Sequence, residues 1–249
     1  MMNILITNDD GINARGLQLL AQKLQEKHNI TVVAPDSQKS ASSHSITLTK
    51  PIVVKEENIK GVEGKCYSVS GTPVDCTKLA ITTLAKNKVD LVVSGINDGF
   101  NLGTDVLYSG TVSAAIEGAI NMIPGIAVSC DGSIESYEIA CKCISEVIDK
   151  IANKDIENIV LNINIPSVEK CNIKGIKVCN IGEMSYNNIY IEMGKNSGNS
   201  VYQITGSPQP PKENNTDVAY INEGYITITP LHYDLTNFHF IKKLNNLLS

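Results

Sequence analysis

The sequence predicts an α/β fold: a Rossmann-like three-layer sandwich with a mostly parallel sheet, plus a C-terminal β-hairpin and helix extension. Three observations carry this. Short apolar runs rich in Ile, Val and Leu recur at residues 3–7, 30–34, 89–94, 125–129 and 159–165, as strands buried on both faces require. Helical patterns separate most of them, which reads as a chain of βαβ units. The first run also ends in two carboxylates and a glycine, Asp9-Asp10-Gly11, where open α/β sheets keep their sites, beyond the carboxyl ends of the strands.

After Gly11, the residues Leu17, Leu20, Ala21 and Leu24 fall at helical spacing, and the pattern lasts to about His28. The second strand, residues 30–34, is closed by Pro35-Asp36, and Asp36 reads as a turn residue or an acid behind the site. Residues 37–47 hold five serines and little to bury, which predicts a flexible loop. Two weaker extended segments, 52–55 and 66–69, precede a helix expected over 75–85. The strand at 89–94 is expected to stop sharply at Gly95-Ile96-Asn97-Asp98-Gly99. A glycine-rich loop then leads to Ser109-Gly110-Thr111, which opens a helix of small residues. Strand 125–129, helix 134–152 and strand 159–165 complete a core ending at Pro166.

Beyond Pro166 the short alternating segments 176–179, 188–192 and 201–204 predict antiparallel hairpins, residues 206–215 an exposed loop, 216–229 extended structure and 235–248 a helix. The expected organisation is one domain over 1–249, with a core at 1–166 and an extension at 167–249 that forms an oligomerisation arm.

Composition narrows the function. With 249 residues, 42% hydrophobic and 19% charged, the chain reads as an ordinary globular protein. A net charge of −5 makes nucleic acid a poor partner. No apolar run reaches the length of a membrane span, so no membrane partner is expected. Arg15 is the sole arginine, so phosphate binding would fall to backbone amides, lysine or metal. Seven cysteines without a CxxC pair, and a first strand that begins at once with no secretory leader, lead to free thiols and a cytoplasmic location. Cys141 and Cys143 lie on different faces of a helix and read as packing residues.

Two adjacent acids at a strand end repel each other, and a bound cation holds both ionised at least cost. A helix cap is the competing reading for Asp9 or Asp10, and on this stretch alone both stand. The loop around Ser40 and the strand end at Asn97 would meet Asp9 and Asp10 at one edge of the sheet. Two carboxylates, a hydroxyl and an amide carbonyl make an oxygen site suited to Mg²⁺, Mn²⁺ or Ca²⁺ rather than Zn²⁺. Ser109, Gly110 and Thr111 would offer N–H groups and hydroxyls to an anion, or simply cap a helix. Gly95, Gly99 and Gly103 fit neither GxGxxG nor GxxxxGK[ST], which disfavours dinucleotide and NTP sites. His44 reads as a solvated loop histidine, and the serine loop has no GxSxG context.

Together, Asn8-Asp9-Asp10-Gly11, Ala34-Pro35-Asp36 with Ser40, Gly71-Thr72-Pro73 with Asp75-Cys76, and Ser94-Gly95-Ile96-Asn97 through Asn101-Leu102-Gly103 to Tyr108-Ser109-Gly110-Thr111 resemble the SurE (stationary-phase survival protein) nucleotidase family. Residues 161–166 and 224–231 are similar to its C-terminal blocks. The resemblance implies a metal-dependent phosphomonoesterase, a 5′-nucleotidase that hydrolyses nucleoside 5′- and 3′-monophosphates and in some members shortens polyphosphate. It implies one divalent cation per subunit, Mg²⁺ or Mn²⁺, on Asp9, Asp10, Ser40 and Asn97, and a homodimer or homotetramer with an exchanged C-terminal segment. In this reading Asp9, Asp10 and Asn97 are catalytic, while Asn8, Asn101, Ser109, Gly110 and Thr111 bind substrate phosphate. The rivals are a non-catalytic nucleotide-binding module and a receiver-like signalling module; the latter needs a phospho-accepting aspartate where this chain has Asn97.

Overall fold

A computed structural model describes the chain apart from residues 153, 155–158, 168–171, 188–189 and 197. Its centre is β1 (Asn3–Thr7), whose residues are buried from Ile4 onward. Ile4 and Ile6 face one hydrophobic cluster and Leu5 the other, so the strand is apolar throughout because both of its faces are covered. The helix α1 (Arg15–Leu24) buries Leu17, Leu20, Ala21 and Leu24, about 1.5–3 kcal/mol for each leucine removed from water. It ends four residues before His28, and the chain then turns into β2 (Asn29–Pro35).

Two strands follow, β3 (Val54–Glu57) and β4 (Lys65–Val69). Then comes α2 (Pro73–Leu79), started by a reciprocal capping box between Thr72 and Asp75 and widened into one π-helical turn over Ala80–Leu84. The strand β5 (Leu91–Asp98) does not stop at Gly95 as its glycine suggested. It continues to Asp98 with a shift in register against its neighbour between Ser94 and Asn97, so the glycine marks an irregularity rather than an end. A 3₁₀ turn (Gly103–Leu107), α3 (Gly110–Ile120), β6 (Gly125–Cys130), α4 (Ile134–Ile151) and β7 (Val160–Asn164) complete the alternating part.

The C-terminal third departs further from expectation. The strand β8 (Ile176–Val178) pairs in parallel with β13 (Ile226–Leu231), not in a hairpin. Between them lie β9 (Tyr186–Asn187), β10 (Tyr190–Asn196), β11 (Asn199–Ile204) and β12 (Ser207–Pro208); β10 and β11 form the expected antiparallel hairpin, and residues 188–189 of that expectation fall outside the described residues. Residues expected to be extended from 216 instead form α5 (Asp217–Asn222), because Thr216 caps it by accepting from the Ala219 amide and Asp217 occupies its first turn. The chain closes with α6 (Phe238–Leu248).

Among the described residues the main sheet has nine strands in the order β3-β4-β2-β1-β5-β6-β7-β13-β8, with β3 and β13 antiparallel to the neighbours β4 and β7. Thus β8 and β13, from beyond Pro166, join the sheet itself. Helices α1 and α4 share the cluster on one face, and α2 and α3 cover the other. The chain leaves β1 for β2 and β4 on one side and returns to β5 on the other. That reversal opens a crevice beyond the carboxyl ends of β1 and β5.

Candidate active site

The crevice holds Asp9 at its floor. Thr111 Oγ1, in the first turn of α3, donates to Asp9 Oδ1 at 2.5 Å and lies 3.3 Å from Asn97 Oδ1. One hydroxyl therefore joins the ends of β1, β5 and α3. The amide nitrogen of Asn97 donates to the Gly99 carbonyl at 2.7 Å, which fixes the flip of the side chain and leaves its oxygen toward Asp9. Asp10 Oδ2 accepts from the Asp98 amide at 3.1 Å, and the Lys39 amide donates to the Asp9 carbonyl at 2.7 Å. The second contact sets Ser40 at the rim of the same cleft, exposed.

Electrostatics at this point favour a cation. Burial pushes the Asp9 carboxyl above its ordinary value although Thr111 opposes it, and Asp10 is pushed up to about 6, first by burial and then by the charges of Asp9 and Asp98. Among the described residues no three His, Cys, Asp or Glu side chains group as a metal site, so a cation here would rest on two carboxylates and neutral oxygens. That donor set fits a hard cation. A further oxygen is close: Ser42 Oγ is buried without a hydrogen-bond partner and stands 2.7 Å from where a Cβ on Gly110 would be. Such a Cβ would also meet Asp9 Cβ at 2.9 Å, which explains why the helix must start on glycine beside Asp9.

The other expected site residues divide by what their side chains touch. Asn8 is fully buried, and both ends of its amide close on the backbone of Gly11, so it shapes the turn that aims Asp9 and Asp10. Ser109 Oγ accepts from the Val112 amide at 3.0 Å and serves as the cap of α3. The Thr111 hydroxyl is spent on Asp9 and Asn97. The amides at the start of α3 are engaged as well: Val112 on the Ser109 hydroxyl, Ser113 on the Ser109 carbonyl, and Gly110 and Thr111 toward the Asp9 carboxylate, so this helix start serves the acid. Asn101 lines the cleft and is locked by the strand ends: its amide donates to Asn164 Oδ1, its side chain to Ser129 Oγ, and its carbonyl accepts from Asn162 and Asn164. The two asparagines of β7, Asn162 in its middle and Asn164 at its end, are thus explained by a single loop residue.

Several supporting residues lie outside the sequence expectations. His44 is not simply solvated: its Nε2 lies 3.0 Å from Glu117, a carboxylate buried on α3 that also accepts from Lys78 at 2.9 Å. Burial alone would raise the Glu117 carboxyl, yet hydrogen bonds from His44, Lys78 and Asn121 hold it below its ordinary value. Thr47 binds Asp75 through both its amide and its hydroxyl, and the Ser43 amide donates to the Tyr108 carbonyl. The serine loop, expected to be flexible, is fastened over the site at these points. Asp217, fully buried, accepts from the amides of Gly103 and Gly182 and so ties the loop before α3 to the C-terminal segment. Sequence spacing gave no hint of these long-range pairs; a buried Glu in an otherwise small and apolar helix face was the one available sign.

The cleft is about 840 Å³ and is lined by Asp9, Ser40, Asn97, Asn101 and Ser109, with aromatic residues further out. A cavity of about 140 Å³ near Asn3, Asn29 and Lys65 lies at the opposite ends of the strands, away from the acids. The six described cysteines are free and buried, Cys141 and Cys143 among them; Cys171 falls outside the described residues. No helix among the described residues is long and apolar enough to cross a membrane.

Comparison with known proteins agrees with this geometry. The family model described as "Survival protein SurE" matches residues 4–188. A protein of Clostridium botulinum (strain Eklund 17B / Type B) named 5′-nucleotidase SurE is 51% identical over 251 residues, covering 99% of this chain and 98% of its own length. One of Clostridium beijerinckii with the same name is 49% identical over 252 residues, covering 99% of each. The crystal structure of the SurE protein from Aquifex aeolicus superposes with a TM-score of 0.83 at 37% identity, covering 99% of this chain and all of that one. With an acid pair at the end of its central strand, the doubly wound sheet that presents it and this likeness along the whole length, the chain belongs to the SurE family.

Proposed function

We propose that this protein is a metal-dependent 5′-nucleotidase, hydrolysing nucleoside 5′- and 3′-monophosphates to nucleoside and phosphate. The observation that carries the reading is the meeting of Asp9 and Asn97 at the Thr111 hydroxyl, with Asp10 and Ser40 at the same strand ends. The name 5′-nucleotidase SurE borne by relatives near 50% identity supports the reaction class.

Asp9, Asp10, Ser40 and Asn97 would hold one Mg²⁺ or Mn²⁺ per subunit. Bound there, such a cation polarises phosphoryl oxygens and lowers the pKa of water. The protein's own groups do the rest. Thr111 keeps Asp9 in one rotamer by donating to it. The amides of Gly110 and Thr111 at the start of α3 turn toward the Asp9 carboxylate and stabilise its charge. Asn101, immobilised by Ser129, Asn162 and Asn164, positions the ester. Carboxylates Asp9, Asp98 and Asp105 line the cleft with no lysine or arginine among its described residues. Beyond the cation a polyphosphate chain would find no countercharge among these lining residues, which favours a monoester substrate over the exopolyphosphatase reading.

Phosphate release from a panel of 5′- and 3′-mononucleotides should therefore require Mn²⁺ or Mg²⁺ and stop on chelation. Turnover undiminished by chelator, or none with either metal, overturns the reading. We also infer a cytoplasmic homodimer or homotetramer in which residues 167–249 supply the arm. The support is α6, which buries no residue and exposes Phe238, Phe240, Ile241, Leu244 and Leu247 on an isolated helix. Light scattering should give twice or four times the monomer mass, and a monomer would sink the assembly.

A further inference from the structure

The segment that carries Ser40 is exposed and has little of its own to hold it in shape. Ser40 and Ala41 are open to solvent, and Ala41 and Ser43 have φ of 55° and 50°, in the left-handed region that alanine and serine rarely adopt. Without anchors such a loop would relax out of that conformation and carry the Ser40 hydroxyl away from Asp9. What keeps Ser40 at the rim of the cleft is therefore the set of ties around it.

Two of these ties are main-chain bonds: the Lys39 amide donates to the Asp9 carbonyl at 2.7 Å and the Ser43 amide to the Tyr108 carbonyl at 3.0 Å. Further on, Thr72 Oγ1 donates to the Ser45 carbonyl at 2.7 Å and Thr47 donates to Asp75, which holds the loop to the start of α2. The His44 side chain makes a different connection. Its Nε2 lies 3.0 Å from Glu117 Oε2 on α3, the helix whose first turn sets Thr111 on Asp9.

Glu117 is prepared for this contact. Lys78 Nζ stands 2.9 Å and Asn121 Nδ2 3.1 Å from Oε1, whereas Oε2 is left to His44. Burial would raise the Glu117 carboxyl, but its hydrogen bonds hold it below the ordinary value, so both oxygens only accept and His44 Nε2 carries the hydrogen. The Glu117 side chain is 4% exposed, so losing His44 would leave a buried carboxylate oxygen short of its donor. Between the tie and Ser40 lies Ser42, whose hydroxyl is buried beside Gly110. The arc from Ser40 to His44 thus closes down on α3. The cleft is lined by Ser40, Ala41, Tyr108 and Ser109 but not by His44, which therefore acts through the loop and not on what binds.

We propose that His44 is a positioning residue: by donating to Glu117 it references the serine loop to α3 and so fixes Ser40 beside Asp9. One helix then sets both groups, Asp9 through Thr111 in its first turn and the loop through Glu117 further along. The proposal rests on the reading of Asp9, Asp10, Ser40 and Asn97 as a cation site, and it adds what keeps the exposed member of that set in place.

Hydrogen exchange of the metal-free protein reads the anchor, and calorimetric titration with Mn²⁺ reads its consequence. In His44→Ala the amides of Lys39 and Ser43 should exchange about tenfold faster, as the loss of a hydrogen bond to a charged group implies. The dissociation constant for Mn²⁺ should rise about tenfold, the low end of what removing a partner behind a metal ligand costs. His44→Gln keeps an N–H donor on a side chain of similar reach and should recover most of both. Lys78→Met takes a partner from the same carboxylate without touching the loop. It should lower the melting temperature while leaving the exchange of Lys39 and Ser43 and the Mn²⁺ affinity near wild type. Unchanged exchange in His44→Ala, or losses in His44→Gln as large as in His44→Ala, overturns the anchor. Faster exchange with wild-type Mn²⁺ affinity overturns its role in placing Ser40, as does an affinity loss in Lys78→Met equal to that in His44→Ala. If the wild-type protein binds no Mn²⁺, the cation-site reading fails, while the exchange measurement still judges the anchor.

Discussion

Asp9→Asn should remove metal-dependent phosphate release, by about 10³-fold or more, while the protein folds as before. The size follows from the role: charge stabilisation by a bound cation is worth several kcal/mol, and each 1.36 kcal/mol is about tenfold in rate. The preserved fold follows from the surroundings. Asp9 is 5% exposed, and burial raises its carboxyl above the ordinary value, so ionising it costs more in the metal-free fold than in the unfolded chain. An asparagine can still accept from Thr111 through its oxygen and carries no desolvated charge. The metal-free variant should therefore melt at or above the wild-type temperature. Adding Mn²⁺ should reverse the order: at a hundred times its dissociation constant a ligand stabilises the fold by about 2.7 kcal/mol. That gain should appear in the wild type and be absent in Asp9→Asn. Full activity in the variant, or an equal rise in melting temperature with metal, would remove Asp9 from the ligand set.

How much of this was legible beforehand depends on the range of the contact. The buried strands of the sheet domain announce themselves because apolar β-branched runs between turns have few other uses, and β1, β2, β6 and β7 lie where the runs are. That Asp9, Ser40 and Asn97 line one cleft was nameable because strand ends are where α/β sheets gather polar groups. What escaped depends on pairs far apart in sequence. His44 and Glu117 are 73 residues apart, and Gly103 and Asp217 are 114 apart. No local pattern records such pairs, so the serine loop read as free when it is fastened. The segment 217–222 was missed for another reason: a six-residue helix is too short to show a period, and its Thr216 cap was the stronger signal. Asn8 and Ser109 show a third limit. Residues quoted in a family motif also serve the backbone that aims a site, here the Gly11 turn and the start of α3.

Gly16→Ala should be the most damaging single methyl group in the chain, and its effect should reach both the fold and the site. Gly16 lies in the first turn of α1, pressed against β5. A Cβ there would stand 2.2 Å from the Ile96 carbonyl oxygen and 2.9 Å from Tyr137 Cε1. The first neighbour is backbone, so no rotamer change relieves it. Alanine favours a helix over glycine by about 1 kcal/mol, but overpacking a filled core costs about 1–3 kcal/mol and occasionally more. Against a backbone atom inside the sheet the upper end applies, so a net loss of about 2 kcal/mol is expected, or about 4–8 °C in melting temperature for a chain of this size. Ile96 is followed directly by Asn97. A shift of a few tenths of an ångström at Ile96 carries Asn97 Oδ1 away from the Thr111 hydroxyl that it shares with Asp9. Ligand geometry tolerates little displacement, so metal affinity and kcat/KM should fall together, by about tenfold or more. A variant that melts lower yet binds Mn²⁺ with wild-type affinity would show that the helix contact supports the sheet without setting the site. Normal melting as well would mean that α1 can lift from β5, against the packing of Leu17 and Leu20 beneath it.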